Sequence, residues 1–308
     1  MLVNFGVWLL PKLSRNQVYR LCQAMGIVAY AIDYRGRETA HENLRVAFAK
    51  ENISASQIRR VAIGSYQNFA RTFLDLFWSA RLTTPDYAKH VQSEWEDADT
   101  QEIARKRGSL WITPHFGSFE ILNLAVGAMG ISFVTIAQNF KNQSLTSVFA
   151  KLRQGTGHQL VPQQGAMLRF VKELGRGGHA SMLSDLTVKP SRSSAVITCF
   201  GLKTCVPILH TQLAARLNLP MIPATCVPVD EQTYRCHFSK PLEPKDFPTP
   251  AAMAQEIWDQ FEPQIRTYPE KWLWMYKHWR YLPGTEEDCN YPAYANPNRE
   301  FRAMLETA

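Results

Sequence analysis

From about residue 108 onward, short apolar runs alternate with helix-length segments, and this rhythm constrains the fold more than any other feature of the 308-residue chain. The runs are Ser109–Thr113, Phe133–Ala137, Gln159–Val161, Ala180–Leu183, Val196–Phe200 and Met221–Val227. Between them the spacing predicts helices near Phe119–Met129, Leu145–Gln154, Gly165–Leu174 and Pro207–Leu217. Strands separated by helices predict an α/β domain with a central, mainly parallel or mixed sheet flanked by helices. The first quarter reads as helix instead. Ser14 is placed to cap a helix reaching about Tyr34. Ser54 with Gln57 forms a capping-box pattern ahead of a helix from Gln57 to Leu82, with Val61, Phe69, Phe73, Leu76 and Phe77 as its apolar positions. The tail from Pro250 to about Arg280 reads as helix again. Residues 1–82 are therefore expected to form a helical N-terminal extension and residues 83–308 one continuous α/β unit.

Charge is distributed unevenly between these parts. Residues 1–81 hold eleven Lys/Arg against five Asp/Glu, nearly all of the chain's formal charge of +7. Such a balance favours an anionic partner: nucleic acid, an anionic bilayer or an acidic carrier protein. The same stretch opens with Leu2, Val3, Phe5, Val7, Trp8, Leu9 and Leu10, and a second apolar stretch runs from Ala24 to Ile32. Both fall short of the roughly 20 residues that span a bilayer, and the first lacks the basic leader and cleavage site of a signal peptide. A basic, amphipathic, membrane-associating surface segment fits. Ordinary core helices with solvated faces fit as well.

Composition excludes some classes. With 45% hydrophobic and 20% charged residues, the chain is neither disordered nor fibrous. Its six cysteines, at 22, 199, 205, 226, 236 and 289, form no Cys-x-x-Cys pair, so reduced thiols are expected rather than a disulfide framework or a zinc site. There is no Gly-x-Ser-x-Gly elbow, no Walker-type phosphate loop and no His-Glu-x-x-His helix. No metal and no cofactor are expected.

The informative segment is Ser109 to Glu120, where a strand runs into Pro114, His115 and Gly117 before a helix begins near Ser118. A residue at the carboxyl end of a strand beside a helix start occupies the place where α/β sheets hold ligands. His115 is suited to accept a proton near neutral pH. Glu120 is positioned to reach back to its other ring nitrogen, and Gly117 keeps the turn free of a side chain. A His–carboxylate pair with no Ser or Cys nucleophile suits direct transfer, the base activating a substrate hydroxyl. The same residues also fit a histidine bonded at a helix start, with Glu120 favoured there by the helix dipole. Arg153 is a candidate for holding a phosphate or an oxyanion. Gly117 and Ser118 are candidates for backbone oxyanion donation. Asp185, after a strand end, is a candidate for positioning Arg153 or a substrate. The aromatic tail of Trp258, Trp272, Trp274 and Trp279 reads as core packing.

His115-Phe-Gly-Ser-Phe-Glu120 resembles the His-four-residues-acid motif of the lysophospholipid acyltransferase superfamily. It resembles most closely the late (lauroyl/myristoyl) acyltransferases of lipid A biosynthesis and their phosphatidylinositol-mannoside relatives. Other stretches match that family in order: Arg35-Gly-Arg-Glu-Thr-Ala-His-Glu-Asn-Leu44, Lys151-Leu-Arg153, Ser184-Asp185, Cys199-Phe-Gly201, and Glu270-Lys-Trp-Leu-Trp274 with His278-Trp-Arg280. The chain departs from the family at Leu186, where Gln is common, and by Lys277-His278 within the last signature. The resemblance implies a glycerol-3-phosphate acyltransferase-like fold, with His115 as general base and Glu120 as its orienter. It implies transfer of a fatty acyl chain from an acyl carrier protein or coenzyme A thioester to a hydroxyl of a lipid A precursor or related glycolipid. It also implies work at the cytoplasmic face of the bacterial inner membrane, peripherally or shallowly inserted, with no role for nucleic acid. The alternatives are a phosphatidylinositol-mannoside-type or other lipid acyltransferase, hydrolysis of the same thioester, and a basic binding module that does no chemistry.

Overall fold

Two of the expected helix starts are built as the sequence reads. Ser14 and Gln17 exchange side-chain and backbone hydrogen bonds at the start of α1 (Arg15–Ile32), and Ser54 with Gln57 does the same for α3 (Ala55–Ser79). Between them, Asp33 ends α1 and caps α2 (Tyr34–Ala47) through the Gly36 N–H at 3.0 Å. α1 lies along α3 at close quarters. Gly26 makes this possible, since a Cβ there would sit 2.4 Å from Cα of Gln67. The computed structural model describes residues 6, 8–137, 143–162 and 164–306. Leu2, Val3, Phe5 and Val7 of the opening apolar run lie outside the described residues.

After α4 (Thr84–His90), the chain enters β1 (Val91–Trp95), α5 (Ala98–Lys106) and then β2 (Ser109–Thr113). It continues through α6 (Phe119–Ala128), β3 (Phe133–Ala137), α7 (Gln143–Arg153), β4 (Gln159–Pro162), α8 (Ala166–Leu174) and β5 (His179–Leu183). Next come β6 (Ser194–Cys199), β7 (Leu202–Pro207), α9 (Leu209–Leu217), β8 (Met221–Pro228), β9 (Tyr234–Phe238), α10 (Pro250–Thr267) and α11 (Arg299–Glu306). Among the described residues the main sheet has seven strands in the order β1-β9-β8-β2-β5-β3-β4. All neighbours are parallel except the β8–β9 pair.

β2 is the central strand, and all five of its residues are buried, which is why it reads as an unbroken apolar run. Its side chains alternate between two cores. Trp111 joins Phe133, Ile222 and Leu122 of α6 on one face. Leu110 and Ile112 join Phe170 of α8 and Trp258 of α10 on the other.

Three expectations need correction. β1 and β9 lie outside the apolar runs because each mixes polar with apolar positions at one border of the sheet, β9 alternating buried and half-exposed residues. The run Val196–Phe200 is not a strand of the main sheet; it is β6, which among the described residues pairs only with β7 as an antiparallel hairpin. Phe200 and Gly201 turn that hairpin with φ of 51° and 79°, the left-handed pair that two-residue hairpins need. Phe200 tolerates this because its ring is buried against Trp272, at 5.8 Å between centroids. Last, helix α10 stops at Thr267, just ahead of Pro269, rather than reaching Arg280. The segment beyond it crosses the sheet's carboxyl edge, where Trp272 bridges Phe116. No helix among the described residues is long and apolar enough to cross a membrane.

Candidate active site

The pairing of β2 with β5 is in register at a constant offset, from Ser109 opposite His179 to Thr113 opposite Leu183. Continued two residues past both strand ends, that register brings His115 to Asp185. The Asp185 carboxylate accepts from His115 Nδ1 at 2.7 Å, from the His115 backbone N–H at 2.9 Å and from Trp272 Nε1 at 2.8 Å. Its side chain is wholly buried, whereas that of His115 is 16% exposed. Burial alone would raise the Asp185 pKa. The His115 charge and hydrogen bond, then His278 and Trp272, outweigh it and hold the carboxyl below its ordinary value. An ionised carboxylate can only accept, so the His115 Nδ1 donates and Nε2 is the ring nitrogen left to face a substrate.

Glu120 is elsewhere. It lies in the first turn of α6 and is 3% exposed. Arg153, the last residue of α7, grips it with Nε at 3.0 and 3.1 Å and Nη2 at 2.5 Å. The expected contact between Glu120 and the His115 ring is therefore replaced by two separate pairs, His115–Asp185 and Arg153–Glu120. The left-handed turn at Gly117 sends the chain into α6, and the acid faces α7 instead of the ring.

The Gly117 turn is held from several sides. At φ 61° a Cβ on Gly117 would lie 1.9 Å from the Cys226 carbonyl oxygen, so no other residue fits there. The Gly117 N–H donates to the Lys271 carbonyl at 2.8 Å, and the Ser118 N–H to the Cys226 carbonyl at 2.7 Å. Both N–H groups expected as oxyanion donors are thus committed, and the Ser118 side chain is wholly buried. The Gly117 carbonyl accepts from Asn68 Nδ2 at 3.0 Å and from the Thr72 hydroxyl at 2.9 Å, both on α3. The first hydrogen bond within α6 runs from Leu122 to Ser118, so the preceding N–H groups of its opening turn have no partner inside the helix.

Trp272, Asn68 and Thr72 do not stand out as site residues in the sequence. The tryptophan sits in a tail that reads as packing, and it does pack: His278 stacks on it with centroids 3.9 Å apart. Its indole N–H is the part that reaches the site. Burial pushes the His278 pKa down to about 4, so it is a neutral ring at physiological pH. Five of the six cysteines are buried, and all six are free. Cys199, Cys205 and Cys226 are held above their ordinary pKa by burial, which makes them poor nucleophiles.

An apolar groove of about 480 Å³ opens between α1, α3 and α7. Met25, Phe69, Phe73 and Phe149 are among its walls. Phe149 also carries the Arg153 guanidinium 5.4 Å above its ring.

Residues 1–281 match the family model for bacterial lipid A biosynthesis acyltransferases. A phosphatidylinositol mannoside acyltransferase from Mycolicibacterium smegmatis is 22% identical over 270 residues, covering 83% of this chain and 85% of that protein. A protein of the same description from Mycobacterium tuberculosis is 22% identical over 183 residues, covering 58% of this chain and 56% of the relative. Among solved structures, the 1-acyl-sn-glycerophosphate acyltransferase PlsC from Thermotoga maritima aligns with a TM-score of 0.40 and 12% identity, over 84% of this chain and 99% of that one. The chain is an acyltransferase and belongs to the bacterial lipid A biosynthesis acyltransferase family.

Proposed function

We propose that this enzyme moves a fatty acyl chain from an acyl carrier protein or coenzyme A thioester to a hydroxyl of a lipid A precursor or related bacterial glycolipid, with His115 as general base. The observation that carries this reading is the His115–Asp185 couple at the carboxyl edge of the sheet. Asp185 fixes the tautomer, and Nε2 takes the proton of the acceptor hydroxyl. That oxygen then attacks the thioester carbonyl, and the tetrahedral intermediate collapses with loss of the thiolate, which recovers the proton from His115. A positioned base contributes on the order of 10²–10⁴ in rate; placing the two substrates together supplies much of the rest. With Gly117 and Ser118 committed, the opening-turn N–H groups of α6 are the backbone donors suited to the oxyanion. Arg153 and Glu120 act as positioning residues that tie α7 to α6 beside the His115 loop.

The apolar groove suits an acyl chain. Its α3 wall, Phe69 and Phe73, flanks Thr72, whose hydroxyl holds the Gly117 carbonyl. The exposed face of α1 carries Met25, Val28 and Ile32, and the positive balance of residues 1–81 supports placing that extension on an anionic bilayer, at the cytoplasmic face of the inner membrane. A mannosylated lipid acceptor is the second reading, supported by what the two mycobacterial relatives are described as acylating.

The test compares lipids by mass spectrometry in host membranes with the gene deleted, then complemented with wild type, His115→Ala or Asp185→Asn. One glycolipid should lose one acyl chain on deletion and regain it fully only with wild type. Full restoration by His115→Ala would sink the general-base role.

A further inference from the structure

A second cavity, of about 430 Å³, is lined mainly by polar groups. It forms where α1, α3, the turn after β8 and the Glu270–Lys271 pair converge. β8 runs parallel to β2 and ends at Pro228. The cavity therefore sits one strand over from His115, on the edge where open α/β sheets take ligands. It shares a wall with the His115 loop. Asn68 lines it and donates to both the Gly117 and Lys271 carbonyls, at 3.0 and 3.1 Å.

Its charge is unbalanced in depth. Arg15 and Arg71 close on the single carboxylate of Asp75, at 2.7 and 3.2 Å, and all three side chains are at least nine-tenths buried. Tyr234 completes the cluster with a neutral hydroxyl. One carboxylate leaves two guanidiniums with an excess positive charge inside the protein, an arrangement that a further counter-ion stabilises. Arg71 faces the cavity. Its bonds to Asp75 and to the Asp230 carbonyl, at 3.2 and 2.7 Å, do not exhaust its five donors. Lys271 lines the same space. Burial lowers its pKa, Glu270 at 3.5 Å works the other way, and the Arg71 cation lowers it further, so the two cations feel each other. Three acids share this space: Asp230 and Glu231 are exposed and Glu270 is half-buried against Lys271, while Asp230, bonded to the Gln232 and Thr233 N–H groups at 2.7 and 2.6 Å, is held below its ordinary pKa by those bonds and by the Arg71 cation.

We propose that this cavity binds a phosphate ester, with Arg71 and Lys271 as its counter-ions and Gln67 as its neutral partner, while Asn68, both of whose amide hydrogens are committed to carbonyls, holds the wall. The identity of the phosphate rests on the acyltransferase reading, under which it belongs either to a lipid head group or to the arm of the thioester donor. Binding there would brace the wall that carries Gly117 and so couple occupancy to the His115 loop.

Binding of inorganic phosphate to the full chain, measured by titration calorimetry, requires no turnover and so succeeds or fails independently of acyl transfer. Lys271→Met removes the ammonium but keeps the carbonyl that holds Gly117. Gln67→Glu adds a carboxylate to the wall, and Lys271→Arg preserves charge. Arg71 is left intact because its loss would strand Asp75. Saturable binding is expected for wild type and Lys271→Arg, weakened about tenfold or more in the other two, as loss of a charge-assisted bond implies. Thermal melts of the variants serve as the folding control. A second arm uses phosphatidylcholine vesicles with and without phosphatidic acid. Vesicle binding that depends on both phosphatidic acid and Lys271 assigns the phosphate to a head group; an effect of Lys271→Met confined to soluble phosphate assigns it to the donor arm. Phosphate binding absent from wild type, or equal in wild type, Lys271→Met and Gln67→Glu, overturns the proposal.

Discussion

At the scale of single residues, the site is a division of labour between two acids. Asp185 meets the His115 ring and Glu120 meets Arg153, partners exchanged relative to the sequence reading, which assigned Glu120 to the His115 ring and Asp185 to Arg153 or a substrate. Their substitutions should therefore fail differently. Asp185→Asn keeps the volume but can donate as well as accept, so Nδ1 is no longer held protonated. Turnover should fall by on the order of 10²–10⁴ with KM little changed, measured by steady-state kinetics on the purified enzyme. Glu120→Ala strands a cation that is only 23% exposed and should cost stability, about 2–4 kcal/mol in urea unfolding. The double variant Glu120→Ala/Arg153→Ala should recover part of that loss. If Glu120 instead oriented His115, the single variant would move the pH profile of turnover, and removing Arg153 would restore nothing.

At the scale of elements, the β2–α6 turn is fastened by α3, by β8 and by the segment after α10. α3 and the segment after α10 bond to Gly117 itself, and β8 bonds to the Ser118 N–H beside it. Gly117→Ala combines a disfavoured φ with a collision against the Cys226 carbonyl, and should destabilise by more than about 2 kcal/mol while lowering activity, read from denaturant midpoints alongside rates. At the far end of the same helix scaffold, Ser54→Ala removes one half of the α3 capping box. That change should cost about 1 kcal/mol and leave turnover per folded molecule intact. The contrast separates damage to the site from damage to the scaffold.

For the whole molecule, acid should be the weak point. His210 and His278 are wholly buried, and burial holds each at about 4 rather than the ordinary 6.5. Between those values the unfolded chain binds protons that the folded chain refuses, so stability rises with pH across the window and is lost on descending it. Asp185 adds to the loss lower down: its folded pKa lies below the ordinary value, so its contribution persists until pH falls through that lowered value. Melting temperature should be nearly level above pH ~7 and decline steadily from about 6.5 toward about 4. A level profile through that range would show that the two histidines are protonated, and therefore hydrated, in the native state.

The sequence by itself determined the long capped helices α1 and α3, the helices between the central strands and those strands themselves, because capping boxes and hydrophobic periodicity act within a few residues of one another. It also singled out His115 and Gly117, since a strand ending in His-x-Gly before a helix is a local pattern. Family kinship was legible for the same reason, in ordered short motifs. The partner of His115 was not. Asp185 reaches it only because β5 inserts beside β2 in one register, and Trp272 arrives from a tail that crosses the sheet edge after α10 ends. Nothing near His115 in sequence competes with Glu120 for that role, so local reasoning selects the nearer acid. Strand order decides otherwise: side chains far apart in the chain share one carboxyl edge, and the nearest acid in sequence is turned toward Arg153.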